Sequence, residues 1–300
     1  MAEKARPSTI PYAGTELWGN IERKVLRKEF YRSMRHRIAE DAKPQLFLLL
    51  LATAITLILW FIPFADYLVY PIRLFVTFIH ESSHALVAVL TGGSVQSLTI
   101  SMDGSGVVYS APGGMIGALL TSSAGYLGTT AFGVLMLYLI RRSFSPNKIL
   151  TALGIFVAAM TLIFTIVSPI FNFLTLNAAF SSIVFTVIAG GLLATGLVGM
   201  GIYSNLRVAN FAVAFLAVQC LLNAAVDLIN VFFVNAPIIG SDMHTDAANM
   251  AAATGIPGIM WVMIWMGISI LMISLGLRLY AVSQNKAAAK DSVFEEPPVV

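Results

Sequence analysis

Long apolar runs separated by short polar breaks fill the chain from residue 45 onward. About 20 apolar residues is the length that crosses a bilayer as a helix. Such runs fall at 45–64, 67–90, 115–140, 149–170, 180–203, 210–234 and 258–280, which predicts about seven transmembrane helices. The fold class expected is therefore an all-α polytopic membrane protein. Residues 94–112 break the pattern. Val95, Leu98, Ile100 and Met102 sit among polar residues, Asp103-Gly104-Ser105-Gly106 supplies turn chemistry, and Val107-Val108-Tyr109 follows. That reads as a β-hairpin. It is too short and too polar to cross a bilayer, so it is expected as a re-entrant or surface hairpin packed on protein.

Ahead of the first span the chain is polar. Within 21–43, Leu26, Phe30, Met34 and Ile38 recur every four residues between seven Arg and Lys residues. This is an amphipathic helix suited to an anionic lipid surface, and a soluble stalk packed on the membrane domain would carry the same pattern. Three parts are expected: a polar and basic segment over 1–44, a transmembrane domain over 45–283, and a disordered tail over 284–300. No cleavable leader is expected, because about forty polar residues precede the first apolar run. The basic segment places the N-terminus in the cytoplasm. Strict alternation would then put the basic connection 141–148 outside, against the same rule.

Composition narrows the chemistry. Of 300 residues, 58% are hydrophobic and 11% charged, which excludes an ordinary soluble domain. The net charge of +3 gathers near the N-terminus and points to a membrane surface, with no nucleic-acid partner expected. The single cysteine, Cys220, excludes a disulfide framework and a cysteine-based zinc site. Neither a Walker loop, a dinucleotide fingerprint nor a G-x-S-x-G elbow occurs.

One stretch inside the second span stands apart: His80-Glu81-Ser82-Ser83-His84, an H-E-x-x-H pattern. On a helix His80 and His84 share a face, so two imidazoles can grip one Zn²⁺. Glu81 is placed to take a proton from an activated water. Three ionisable residues deep in lipid, at roughly 2.5–3.5 kcal/mol each or more, need a compensating partner, and a metal is the simplest one. A polar face lining a water-filled cavity would be the bland alternative.

Catalytic zinc takes three protein ligands and an open position. Acids inside the later spans are few, and Asp227 is the preferred third ligand. If spans alternate, it lies at the depth of the histidines to within about 6 Å. Asn223 and Asn230 share its face, and Asn223 is a candidate for binding substrate backbone. Asp246 is the runner-up; it opens a short helical stretch over 247–253, where an N-cap is its ordinary role. His36, His244 and Asp242 read as surface groups. Arg73 reads as snorkelling to the interface.

Together with Thr91-Gly92-Gly93, the hairpin and Ala124-Gly125-Tyr126-Leu127-Gly128, the H-E-x-x-H span resembles the site-2 protease class of intramembrane zinc metallopeptidases. The compact bacterial and plant branch without a PDZ domain is the nearer likeness, with Thr245-Asp246-Ala247 and Trp261 and Trp265 in the last span. The resemblance covers about residues 68–280. It departs from the better-known members in lacking Asn-x-x-Pro before an Asp-Gly pair: Asp227 is followed by Leu228. The resemblance implies Zn²⁺ as cofactor, Glu81 as catalytic base and a transmembrane protein as substrate. A metal-binding membrane protein without hydrolysis, either a transporter or a pseudoprotease partner, is the alternative.

Overall fold

The computed structural model describes residues 43–59, 62, 64–175, 177–234 and 245–281. Residues 21–42 of the expected basic helix over 21–43, the tail 284–300, His36, Asp242 and His244 lie outside these residues. Helix α1 covers Lys43–Leu59, α2 Ala65–Leu90, α3 Gly114–Arg141, α4 Pro146–Phe171, α5 Phe180–Tyr203, α6 Leu206–Val234, α7 Asp246–Thr254 and α8 Gly258–Ala281. Strands β1 (Ser94–Ile100) and β2 (Gly106–Ala111) form an antiparallel pair between α2 and α3.

Among the described residues six helices, α2 to α6 and α8, are long and apolar enough to cross a membrane. The all-α polytopic expectation of about seven spans is met closely, and the first run is described as a shorter helix. Its helix ends at Leu59 and its apolar part is Phe47–Leu59, too short to count with the others.

Helix α3 is the central element, packing on α2, α6, α7 and α8. Its small residues permit this. A Cβ at Gly133 would collide with Leu221 of α6, and one at Gly128 with Ser83 of α2. Such stripes let membrane helices approach closely enough for dispersion to hold them together. The hairpin rests on α2, α4 and α5, and Leu98 and Ile100 are fully buried beneath it. Around them Phe75, Phe78, Ile79, Leu137 and Leu150 complete the larger apolar core.

Two local devices aim the hairpin. Helix α2 ends in a Schellman motif: Gly93 N–H donates to Ala88 O at 2.8 Å and Gly92 N–H to Val89 O at 3.1 Å. Gly92 takes φ +79°, which L side chains resist. At the other end the hairpin turn is latched back onto α2. Tyr70 Oη donates to Met102 O at 2.6 Å and Thr77 Oγ1 to Gly104 O at 2.9 Å. Arg73, on the same helix face, lies against Gly104. It thus borders the hairpin turn.

Candidate metal centre

His80, Glu81 and His84 occupy consecutive turns of α2 where that helix faces α3. Glu81 is 6% exposed and His84 7%. The His84 Nδ1–H donates to Thr121 O of α3 at 2.6 Å, so its Nε2 carries the free lone pair. That atom lies 3.1 Å from His80 Nε2. At that distance a His80 Nε2–H can donate to the His84 lone pair, or both lone pairs can face one cation. Gly125, one turn beyond Thr121, leaves the space: a Cβ there would collide with the Nε2 atoms of both histidines. Tyr126 packs edge-on to the His80 ring with centroids 4.8 Å apart, and Trp265 of α8 lies against the far side of Tyr126. The Trp265 indole donates to Ser123 Oγ at 3.0 Å, fixing α8 on α3.

Asp246 brings the carboxylate. Its Oδ2 is 3.3 Å from His84 Nε2 and 3.7 Å from His80 Nε2. Among the described residues, His80, His84 and Asp246 are the group whose ligand atoms converge. Of the two candidate acids, the runner-up Asp246 lies inside that group and the preferred Asp227 outside it. Depth along a span does not capture Asp246, because α7 is not a span. It is a short helix packed against α3 and α8, and it carries its first residue back to the level of the histidines. The capping expectation is corrected too. Thr245, not Asp246, caps α7, accepting from Ala248 N–H at 3.1 Å, which leaves the Asp246 carboxylate free to face the imidazoles. Burial alone would raise the Asp246 carboxyl, but the His84 and His80 imidazoles outweigh it and hold it below the usual carboxylate range.

Asp227 and Asn223 instead line a smaller cavity of about 270 Å³ with Arg73, Thr77 and Asn230, on the side of His80 and Glu81 toward the hairpin turn. Asn223 Nδ2 donates to Gln219 O at 2.9 Å. A larger cavity of about 780 Å³ opens on the other side. It is lined by β2, by Thr121, Ser122 and Tyr126 of α3, and by Asp246 and Asn249 of α7. His80, Glu81, Gly106 and Tyr126 border both. Gly106 is the contact between hairpin and base: a Cβ there would sit 2.5 Å from Glu81 Cγ. Thr121, Gly106 and Thr245 were not expected in the site. Thr121, Gly125 and Gly128 do form one helical face, a pattern that signals close approach without saying to what.

Over residues 48–276 the chain matches the Peptidase M50B-like family, and this match spans most of its length. The chain belongs to that family. It is the family of the site-2 proteases, so the chain is a multi-pass integral membrane protein of a peptidase lineage. No curated protein and no solved structure matches it.

The donor set of this M50B-like peptidase fits zinc. Four ligands at about 2.0–2.2 Å around a tetrahedron stand roughly 3.3–3.6 Å apart. The three separations here are 3.1, 3.3 and 3.7 Å. Two imidazoles and one carboxylate are also a usual catalytic set that leaves one position open. A direct check is Gly125→Ala. The added methyl is expected to displace both Nε2 atoms and abolish stoichiometric zinc in the purified protein, while the thermal transition in detergent moves by only a few degrees. Retained zinc would mean the histidines do not meet beneath Gly125.

Proposed function

We propose that this M50B-like peptidase is an intramembrane zinc metalloprotease that hydrolyses a peptide bond of a membrane-spanning protein. The observation that carries the reading is the buried Glu81 beside a converging His80, His84 and Asp246, with a cavity bordered by a strand edge next to it. Storage or passage of a metal does not need a carboxylate poised beside the ligands; hydrolysis does.

Zn²⁺ held by His80, His84 and Asp246 would polarise the scissile carbonyl and acidify water. The remaining steps belong to the chain. Glu81 takes a proton as the water oxygen bonds to the carbonyl carbon. It returns that proton to the amide nitrogen as the C–N bond breaks, leaving a carboxylic acid and an amine, which then share the acid proton as carboxylate and ammonium. Thr121 O holds the His84 ring in the tautomer that keeps Nε2 available. A helical peptide bond is enclosed by its own hydrogen bonds, so the substrate unwinds before it reacts. Its extended segment adds to β2, which pairs only with β1 among the described residues and which borders the larger cavity from Gly106 to Ser110.

The test is cleavage of a panel of single-span substrates in detergent, with and without removal of the metal. Cleavage inside the spanning segment should vanish on chelation and return with Zn²⁺. A metal-loaded protein that cuts no member of the panel but carries Zn²⁺ across vesicle membranes would establish the transport alternative.

A further inference from the structure

The two edges of the hairpin are treated differently, and the difference lies in side chains of α4 and α5. Ile100 N–H donates to Thr186 Oγ1 at 2.7 Å, and the same hydroxyl lies 3.2 Å from Ile100 O. Thr165 Oγ1 donates to Leu98 O at 2.8 Å, and Ser168 Oγ donates to Val95 O. These partners are spaced along one edge of β1, where a third strand would otherwise bond. Thr165 and Thr186 are fully buried. An open strand edge in an apolar setting holds costly unpaired groups and accepts any passing strand. Here hydroxyls from two membrane helices satisfy it.

The course of α4 makes this contact. Over Thr161–Val167 the helix widens into a π segment, and Thr165 lies within it, with Ser168 directly after. A π segment shifts the residues that follow to a different face, and such segments recur where a helix must present a specific group. Gly190 of α5 lets the helices close at that level, since a Cβ there would collide with Thr161 Oγ1.

We infer that Thr165, Ser168 and Thr186 form a hydroxyl clamp that closes the outer edge of β1 and sets β2 as the edge open to substrate, which makes them positioning residues for the extended substrate segment. The inference rests on the proteolytic reading for its substrate role. The clamp also fixes the depth of the hairpin against α2, and so the distance between the β2 edge and Glu81, which already touches the hairpin at Gly106. The three hydroxyls touch neither metal ligand nor base, so their loss acts through substrate placement.

The experiment compares wild type with Thr186→Val, Thr186→Ser and Thr165→Val, measuring zinc content, amide exchange over 94–111, and KM and kcat on one single-span substrate. Leaving a buried partner unpaired should speed exchange at Ile100 by about tenfold in Thr186→Val. KM should rise by a similar factor while kcat stays within about twofold and zinc content is unchanged. Thr186→Ser should restore both exchange and KM. Thr165→Val should raise KM without speeding exchange at Ile100, because its partner is Leu98 O. Unchanged exchange in Thr186→Val overturns the clamp. Faster exchange with unchanged KM overturns its substrate role, and a serine variant that behaves like valine assigns the effect to the methyl group. A wild type that cleaves nothing defeats the proteolytic reading itself, and the exchange data then still decide whether the hydroxyls hold the strand.

Discussion

Asp246→Ala is expected to cost the protein its zinc, whereas Asp227→Ala is expected to leave zinc content unchanged. The expectation follows from where the two carboxylates lie. Asp246 faces both Nε2 atoms at 3.3 and 3.7 Å. Asp227 lines the smaller cavity beyond His80. Losing a partner outside the ligand sphere already weakens metal binding about 10- to 100-fold. Losing one of three ligands should exceed that, and with it goes the charge that compensates the buried cation. Metal content after dialysis against a graded zinc buffer measures the difference. Asp246→Asn separates ligation from packing, since the amide keeps the volume and sheds the charge; it too should release the metal. Zinc retained by Asp246→Ala and lost by Asp227→Ala would restore the depth argument and make the placement of α7 irrelevant to the site. Both variants keep the α2 histidines, so residual weak binding in either is expected and does not blur the contrast.

That contrast also marks where the sequence stops being informative. The spans are legible because lipid imposes a length and a composition on each crossing, and the ends at Leu90, Tyr203 and Val234 fall where the pattern predicts them. His80, Glu81 and His84 are legible because helical spacing alone brings them to one place, without any long-range contact. The hairpin is legible through its turn residues. The carboxylate is not, because which acid reaches the histidines depends on how a nine-residue helix outside the spans folds back onto α3. Gly106 against Glu81 and Thr121 behind His84 share that difficulty. Each is an ordinary turn or packing residue by local rules, and each acquires its role from a partner 25 or more positions away, as Thr121 does 37 residues from His84. The hydroxyls on β1 are further still, with Thr186 86 residues from Ile100. In a membrane helix Thr and Ser bond readily to their own backbone, as Thr161 does to Val157 O at 2.8 Å, and nothing local distinguishes those that reach a strand.

Glu81→Gln is expected to keep the metal and lose cleavage, by about 10²- to 10⁴-fold in kcat, the range in which a positioned general base contributes. The substitution preserves volume, which matters because Glu81 is buried and in contact with the hairpin at Gly106. It preserves hydrogen bonding to water but removes the group that can accept a proton. Zinc content should stay stoichiometric, since Glu81 is not among the three converging ligands, and the amide also removes a buried negative charge beside the cation, so some change in affinity is expected without loss of occupancy. KM should change little, because substrate is held along β2 and the base acts on water. A uniform rise in KM with kcat intact would assign Glu81 to substrate binding and leave the reaction without a base. Full activity in Glu81→Gln would remove hydrolysis by this centre altogether, whatever its metal content. Loss of both metal and cleavage would place Glu81 in the ligand sphere, and Asp246 would then no longer be needed as the third donor.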